Sequence, residues 1–258
     1  MSERLAVGID AAKTAGEMLK EHFGKITTIE RKADHSLVTD LDKRSDKMIV
    51  ETIRASFPND KIISEESGNF SGSDDYKWVI DPIDGTHNFI RGISLFGVSI
   101  GLIYKNQFTA GVIYLPCSDE LYTAELGSGA FKNGNKISVS DCSSIDDCTL
   151  VFDSGMRRGA QEKLKVFSKI APKVFNVRMF GVSVRNLTYL AEGKVDLLME
   201  FDDHLWDYAA GVLLVMEAGG VVTDFCGKEL TPECRSYMAS NRIIHNKLFE
   251  FLPKDIGE

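Results

Sequence analysis

Three acidic groups in this chain stand where strands end or helices begin. Glu65-Glu66 follows the short apolar run Lys61-Ile62-Ile63-Ser64, Asp81 and Asp84 flank Pro82-Ile83 directly after Trp78-Val79-Ile80, and Asp207 follows Trp206 in the first turn of an apolar helix pattern. Alternating strand–helix folds build ligand sites at such ends. Carboxylates gathered there suit hard divalent cations: Mg²⁺ takes oxygen donors in near-octahedral geometry at about 2.0–2.1 Å and keeps several waters. Two such ions about 3.5–4 Å apart can activate a water and stabilise the leaving oxygen of an in-line displacement. Pro82 sets a turn able to aim both aspartates and the Ile83 carbonyl into one space. Gly85 and Thr86 then offer backbone N–H groups that seat a phosphate if a helix begins there. Each group also has a plainer reading. Asp-Pro-x-Asp-Gly is an ordinary turn, Glu65-Glu66 can be a solvated pair, and Asp207 can be a helix-start charge favoured by the dipole. The three occurring together, with their flanks, favour a metal site.

The bulk composition narrows the classes. A chain of 258 residues allows one large domain or two closely packed halves, and its 43% hydrophobic and 26% charged residues are ordinary for a globular protein. A net charge of −8 with no Lys/Arg stripe argues against a nucleic-acid partner. It also means that bound cations rather than protein charge would have to attract an anionic substrate. Five cysteines without a CxxC pair fit reduced thiols rather than a disulfide framework or zinc site. Met1-Ser2-Glu3-Arg4-Leu5 leads into a charged amphipathic stretch, and no apolar run approaches the roughly 18–20 residues of a membrane span. A cytoplasmic protein with no membrane partner is expected.

Helical spacing of Leu5, Ile9, Ala12, Ala15, Leu19 and Phe23 predicts a first helix ending near Gly24. A strand-like run from Ile26 to Glu30, a polar loop through Asp34 and His35, and a second helix over Asp40–Phe57 follow. Ser67–Asp75, rich in Gly, Ser and Asp, reads as a mobile loop, and the strand Trp78–Ile80 is expected to stop at Asp81. Phe96–Tyr104, Phe108–Leu115 and Leu121–Ala124 read as an antiparallel meander with Lys105-Asn106 as a hairpin turn, closed by glycine-rich Gly127–Gly134. Beyond about residue 140 the pattern alternates. Strands are expected at Thr149–Phe152, around Val174–Met179 and at Val195–Glu200, with helices at Ala160–Ala171, Ser183–Glu192 and Trp206–Ala218. Two subdomains, 1–140 and 141–258, are expected to meet there.

The flanks of the acidic groups resemble a known family. Trp78 through Phe89, with Asp81-Pro82-Ile83-Asp84-Gly85-Thr86 at its centre, is similar to the first signature of the inositol monophosphatases, which are metal-dependent, lithium-sensitive phosphatases. Trp206-Asp207-Tyr208-Ala209-Ala210-Gly211 with Glu217-Ala218-Gly219-Gly220 resembles their second. Leu37-Val38-Thr39-Asp40-Leu41-Asp42 and Ser64-Glu65-Glu66-Ser67-Gly68 are similar to two further blocks, in the family's order. The resemblance implies a layered α-β-α-β-α sandwich of the α/β (α+β) class, with an antiparallel N-terminal sheet and a mixed C-terminal one. It implies that Glu65, Asp81 and the Ile83 carbonyl hold a first Mg²⁺, and that Asp81, Asp84 and Asp207 hold a second, with Glu65 also reaching a weaker third. It implies that Glu65 and Thr86 orient and deprotonate the attacking water, and that Asp42 supports Thr86, with Thr39 nearby as helix cap. Asp84, Gly85 and Thr86 would meet the phosphate, and no covalent phospho-enzyme is expected. His87 is expected to be a surface imidazole beside the site. A lysine often found upstream of the Leu-Val-Thr block has no clear counterpart, its place being shared between Arg31 and Lys32.

For the substrate, Glu200 is similar to a glutamate with which polyol-specific members bind ring hydroxyls, and Gly181 and Ser183 would line the same pocket. Members acting on histidinol phosphate resemble the chain there too, and Asp202 and Asp203 add negative charge. myo-Inositol monophosphate is the leading expectation, ahead of histidinol phosphate or a broader range of sugar phosphates. Fructose 1,6-bisphosphate and phosphoadenosine phosphate rank lower, because each would favour further basic residues around the pocket. A homodimer is implied by the resemblance alone. A second role as an interaction or regulatory protein, with catalysis secondary, is the alternative from another class.

Overall fold

The computed structural model describes residues 1–25, 28–31 and 37–253. In chain order these form α1 (Glu3–His22), β1 (Ile29–Arg31), β2 (Leu37–Thr39), α2 (Asp40–Ser56), β3 (Asp60–Ser64), β4 (Gly68–Phe70), β5 (Ser73–Asp84), α3 (Thr86–Ile90), β6 (Gly97–Tyr104), β7 (Gln107–Leu115), β8 (Glu120–Glu125), β9 (Gly129–Lys132) and β10 (Asn135–Lys136). There follow β11 (Thr149–Phe152), α4 (Ala160–Ile170), β12 (Asn176–Arg178), α5 (Ser183–Ala191), β13 (Leu197–Glu200), α6 (Leu205–Glu217), β14 (Gly220–Thr223), β15 (Tyr237–Asn241) and α7 (His245–Leu248). Of the strand-like run expected at Ile26–Glu30, β1 takes Ile29 and Glu30 and adds Arg31. Ile26, Thr27, and the expected polar loop with Lys32, Asp34 and His35 lie outside the described residues.

Burial divides the strands between two faces and so builds the layers. On β5, Trp78 and Ile80 join a core with α1, α2 and alternate residues of β6 and β7, while Val79 joins a second core with α5 and α6. On β7, Val112 and Tyr114 take the first side, Ile113 and Leu115 the second. That two-sided burial is why these strands read as nearly unbroken apolar runs. The second core continues across α5 and α6 to Val151, Leu198 and Ala239 of the other sheet, whose far face (Leu150, Phe152, Leu197, Met199) packs on Val166 and Ile170 of α4. The order of layers is therefore α-β-α-β-α. α6 is apolar on nearly all sides because it lies between two sheets.

The first sheet runs β10-β9-β8-β7-β6-β5-β3-β4, and the second β12-β11-β13-β15-β14. The second is mixed, with β12, β11 and β13 parallel, β15 antiparallel to them, and β14 antiparallel to β15. The first is antiparallel except that β3 and β5 run parallel. Lys105 and Asn106 both take positive φ (48° and 66°), as a two-residue hairpin between β6 and β7 demands. The segment read as a mobile loop, Ser67–Asp75, is ordered backbone instead: β4 folds back on β3, and β5 begins at Ser73. The polar residues there sit at a sheet edge, which tolerates them as a loop does. Among the described residues, no helix is long and apolar enough to cross a membrane.

α6 approaches the first sheet through two glycines. A Cβ on Gly101 would stand 2.7 Å from the Ala209 Cβ, and one on Gly111 2.5 Å from the Ala210 carbonyl oxygen. Gly111→Ala must therefore push α6, with Asp207 in its first turn, off the sheet. A loss of about 1–3 kcal/mol is expected from overpacking, read as a lower urea midpoint.

In the second half, His245 is 3% exposed, with Nε2 3.0 Å from the Thr223 hydroxyl and Nδ1 2.8 Å from the Ser240 hydroxyl. Burial pushes the imidazole down to about 4, so it folds neutral, whereas the unfolded chain takes up that proton near 6.5. The contribution is fully present above pH 6.5 and is lost as pH falls from there toward 4, ~3 kcal/mol in all. Unfolding free energies from urea titrations at pH 7.5 and 4.5 should differ less in His245→Asn than in the parent by about that amount.

Candidate functional site

The strand holding the central turn does not stop at Asp81. β5 continues to Asp84, pairing Asp81 with Ser99 and Asp84 with Gly97 on β6, three steps on one strand against two on the other. The extra residue is a bulge. In a regular strand, residues three apart face opposite sides, but the bulge removes one step of alternation and allows both aspartates to serve one side of the sheet. Pro82, which cannot donate to a ladder, falls inside this irregularity. The Ile83 N–H donates to Asp81 Oδ1 at 3.0 Å, and the Ser45 hydroxyl on α2 donates to the Pro82 carbonyl at 3.0 Å.

The parallel β3–β5 pair supplies the next carboxylate. Ser64 lies opposite Ile80, and the Glu65 N–H continues the ladder to the Ile80 carbonyl at 3.1 Å. Glu65 is thereby set beside Asp81 at the carboxyl ends of both strands. Beneath it, Asp46 of α2 accepts from the hydroxyls of Ser64 and Ser67, which pins the turn that carries Glu65. Asp207 comes from the opposite layer. Its Oδ2 accepts from the His204 N–H at 2.6 Å, and the Ser99 hydroxyl, on the row of Asp81, reaches the Trp206 carbonyl at 3.4 Å. Asp84 Oδ2 accepts from the Val184 N–H at 2.5 Å, so one carboxylate faces the site and also receives the start of α5.

Thr86 opens α3 after Gly85, whose φ of +89° and tight approach to Val182 leave no place for a side chain. The Thr86 hydroxyl lies 3.0 Å from Asp42 Oδ1 and 2.9 Å from the Ile83 carbonyl. The other oxygen of Asp42 accepts from the Thr39 N–H and hydroxyl at 2.7 and 2.5 Å, closing the capping box that starts α2. Burial pushes the Asp42 carboxyl upward against the opposing pull of these hydrogen bonds.

Glu65, Asp81, Ile83, Asp84, Gly85, Thr86, Gly181 and Asp207 line one cleft of about 760 Å³. Asp81 is 2% exposed and Asp84 7%. Burial, and then the charges of Glu65, Asp84 and Asp207, push Asp81 well above the ordinary carboxylate range. Asp84 rises likewise through burial and the charge of Asp207. The donor set fits a hard divalent cation: hard oxygen donors, desolvated and mutually repelling, are what positive charge would compensate. They are not drawn to a single point, since among the described residues no three of these carboxylates bring oxygens within 4.8 Å of one another.

Two expected pocket residues stand apart from that surface. Glu200 is 3% exposed, accepts from Asn186 Nδ2 at 2.6 Å, and is pushed well up by burial and the charge of Asp153. It is neither a solvated strand-end charge nor a lining residue of the cleft. Ser183 is half-buried at the start of α5. His87 is exposed on the cleft wall, as a surface imidazole should be. One premise is corrected: basic residues do surround the pocket, because Arg31, Arg91 and Arg157 all line it. They are scattered in sequence, so no charge stripe announces them; Lys32 lies outside the described residues. Asp46 was also missed, although its place one helical turn after Asp42 on the face of Ile49 and Ile53 is a readable signal.

A layered sandwich with hydroxyl-buttressed carboxylates at the carboxyl ends of its strands defines a class of phosphatase folds. The chain belongs to the inositol monophosphatase family, whose model matches residues 1–256. It is 34% identical over 257 residues to a protein of Thermotoga maritima named fructose-1,6-bisphosphatase/inositol-1-monophosphatase, covering 99% of this chain and 98% of that one. It is 37% identical over 251 residues to the Nus factor SuhB of Escherichia coli, covering 95% and 91%. The solved extragenic suppressor protein SuhB of Bartonella henselae superposes with a TM-score of 0.94 at 35% identity, covering 99% and 100%.

Asp42→Asn keeps the volume of the side chain but gives up one of its acceptors. Phosphatase turnover should fall about 10–100-fold, as for a lost supporting partner, with about 1 kcal/mol of stability from the weakened helix cap. Phosphate release and urea unfolding on the same preparation check both numbers.

Proposed function

We propose that this protein is a Mg²⁺-dependent phosphatase of a small phosphate monoester, with myo-inositol monophosphate as leading substrate, acting by direct attack of water without a covalent phospho-enzyme. The observation that carries the reading is the convergence of Glu65, Asp81, Asp84 and Asp207 on one cleft beside the Gly85–Thr86 turn. Glu65, Asp81 and the Ile83 carbonyl would hold one ion, and Asp81, Asp84 and Asp207 a second, with Glu65 extending toward a weaker third. When bound, Mg²⁺ supplies Lewis acidity and the positive charge that draws a phosphate to a chain of net charge −8.

The remaining work falls to the chain. The N–H groups of Gly85 and Thr86 seat phosphate oxygens, and Asp84 borders them. The single Thr86 hydroxyl proton is directed to Asp42 or to the Ile83 carbonyl, so toward a water the hydroxyl can only accept. It orients the attacking water through one of that water's own protons. Glu65 then takes the proton released as the new bond to phosphorus forms and the ester P–O bond breaks, and the departing alkoxide takes a proton from a second water to leave as the alcohol. Gly181 flanks the space for the alcohol, with Ser183 at the start of α5 and Glu200, held by Asn186, behind that wall.

Arg31, Arg91 and Arg157 favour a second reading of the substrate, one with another anionic group away from the scissile phosphate. The relative named for both fructose-1,6-bisphosphatase and inositol-1-monophosphatase supports it. An interaction role beside catalysis draws support from the relative named a Nus factor. The working unit we infer is a cytoplasmic homodimer whose substrate is a small molecule rather than nucleic acid.

Turnover with Mg²⁺ on inositol 1-phosphate, histidinol phosphate and fructose 1,6-bisphosphate tests these readings. Inositol phosphate should give the highest kcat/KM, and a higher value on either competitor replaces it. Asp84→Asn should lose at least about 100-fold in turnover. If that dead variant still rescued the phenotype of cells lacking the protein, binding rather than hydrolysis would be its task.

A further inference from the structure

Two thiols outside the cleft converge with a carboxylate. Cys142 and Cys148 bracket the short turn at Ile145–Asp147 that leads into β11, and their sulfurs are 3.4 Å apart. Both point at one backbone oxygen, the Ser144 carbonyl, at 3.3 Å from Cys142 Sγ and 3.1 Å from Cys148 Sγ. Asp196, just before β13, brings a carboxylate oxygen within 4.8 Å of both sulfurs. Its Oδ1 accepts from the Ser140 hydroxyl at 2.6 Å and its Oδ2 from the Thr149 N–H at 2.7 Å, and each oxygen keeps a further lone pair. Asn241 holds the segment in place by donating to the carbonyls of Ser140 and Cys142 at 3.0 and 2.9 Å.

We propose that Cys142, Cys148 and Asp196, with the Ser144 carbonyl, form a binding site for a thiophilic divalent cation of the Zn²⁺ class, separate from the acidic cleft. The spacing argues for it. Bonds of about 2.3 Å to sulfur and about 2.0 Å to oxygen give a tetrahedron with S···S edges of about 3.8 Å and S···O edges of about 3.5 Å. The three observed edges, 3.4, 3.3 and 3.1 Å, each fall within about 0.4 Å of those values. Ligand type separates the two sites: the cleft offers hard carboxylates, suited to Mg²⁺, whereas thiolates select Zn²⁺ and its neighbours. Cys148 is buried and Cys142 half-buried, so the ion would enter past Cys142 and release the two thiol protons to solvent on binding. Bound there, it ties the strand start at Thr149 to the segment entering β13 and so fastens the connection between the two sheets.

Co²⁺ is the probe, because its thiolate charge-transfer band reports cysteine ligation and is silent for carboxylates. Reduced, full-length protein in saturating Mg²⁺ should develop the band with one equivalent of Co²⁺ and lose it on adding Zn²⁺. Cys142→Ser should abolish the band while phosphatase turnover in Mg²⁺ stays unchanged, and Asp84→Asn should retain it. Asp196→Asn should weaken Zn²⁺ at least tenfold; should that variant misfold, the Cys142→Ser result stands alone. Absence of the band, or a band of equal strength in Cys142→Ser and therefore due to Cys117, Cys226 or Cys234, overturns the proposal.

Discussion

Carboxylates that repel one another are crowded into a desolvated cleft floor, and the surrounding structure is organised to hold them there. Two charges a few ångströms apart interact far more strongly in such surroundings than in water, and burial first, with that repulsion added, pushes Asp81 and Asp84 upward. Left to themselves these side chains would turn toward solvent. Asp81, Asp84 and Asp207 are instead each tied by a hydrogen bond that fixes its direction: Asp81 to the Ile83 N–H, Asp84 to the Val184 N–H, Asp207 to the His204 N–H. The bonds come from the chain's own backbone, so the site is built by the same contacts that begin α5 and α6.

Those helices lie in the middle layer, and their depth is set by absent side chains. Gly101 and Gly111 let α6 settle against the first sheet, and the first turn of α6 carries Asp207 to the cleft. Positional error in the middle layer would therefore appear as a misplaced carboxylate before it appeared as a lost core. On the other face of the sheet, α2 divides its buried stripe by chemistry. Asp42, Ser45 and Asp46 at its start hold Thr86, Pro82 and the Glu65 turn, while Ile49 and Ile53 further along pack against α1. One helix both anchors the fold and aligns the site.

The cleft is polarised, with carboxylates on its floor and Arg31, Arg91, Arg157 and His87 around its wall. A ligand with one concentrated negative group and a polar body suits that division, and cations on the floor would complete it. The acidity of the whole chain is thus compatible with an anionic substrate, because charge is arranged locally rather than summed.

The sequence alone determined much of this. Patterns of apolar residues and caps identified the five longer helices, the Lys105-Asn106 hairpin and the change of order near residue 140, because local spacing and local hydrogen bonds dictate those elements, whereas the short α3 and α7 carry no such pattern. The residue types around Asp81–Thr86, Glu65 and Asp207 marked them as candidates, because few side chains suit a hard cation. The tertiary structure decided what spacing cannot carry. It extended β5 through Asp84 and inserted the bulge, since register depends on the partner strand. It made β3 parallel to β5, which seats Glu65 beside Asp81, and turned the presumed loop at 67–75 into paired backbone. It buried Glu200 behind the cleft wall, and it brought together three arginines that lie far apart in the chain, because proximity between distant residues exists only once the layers have packed.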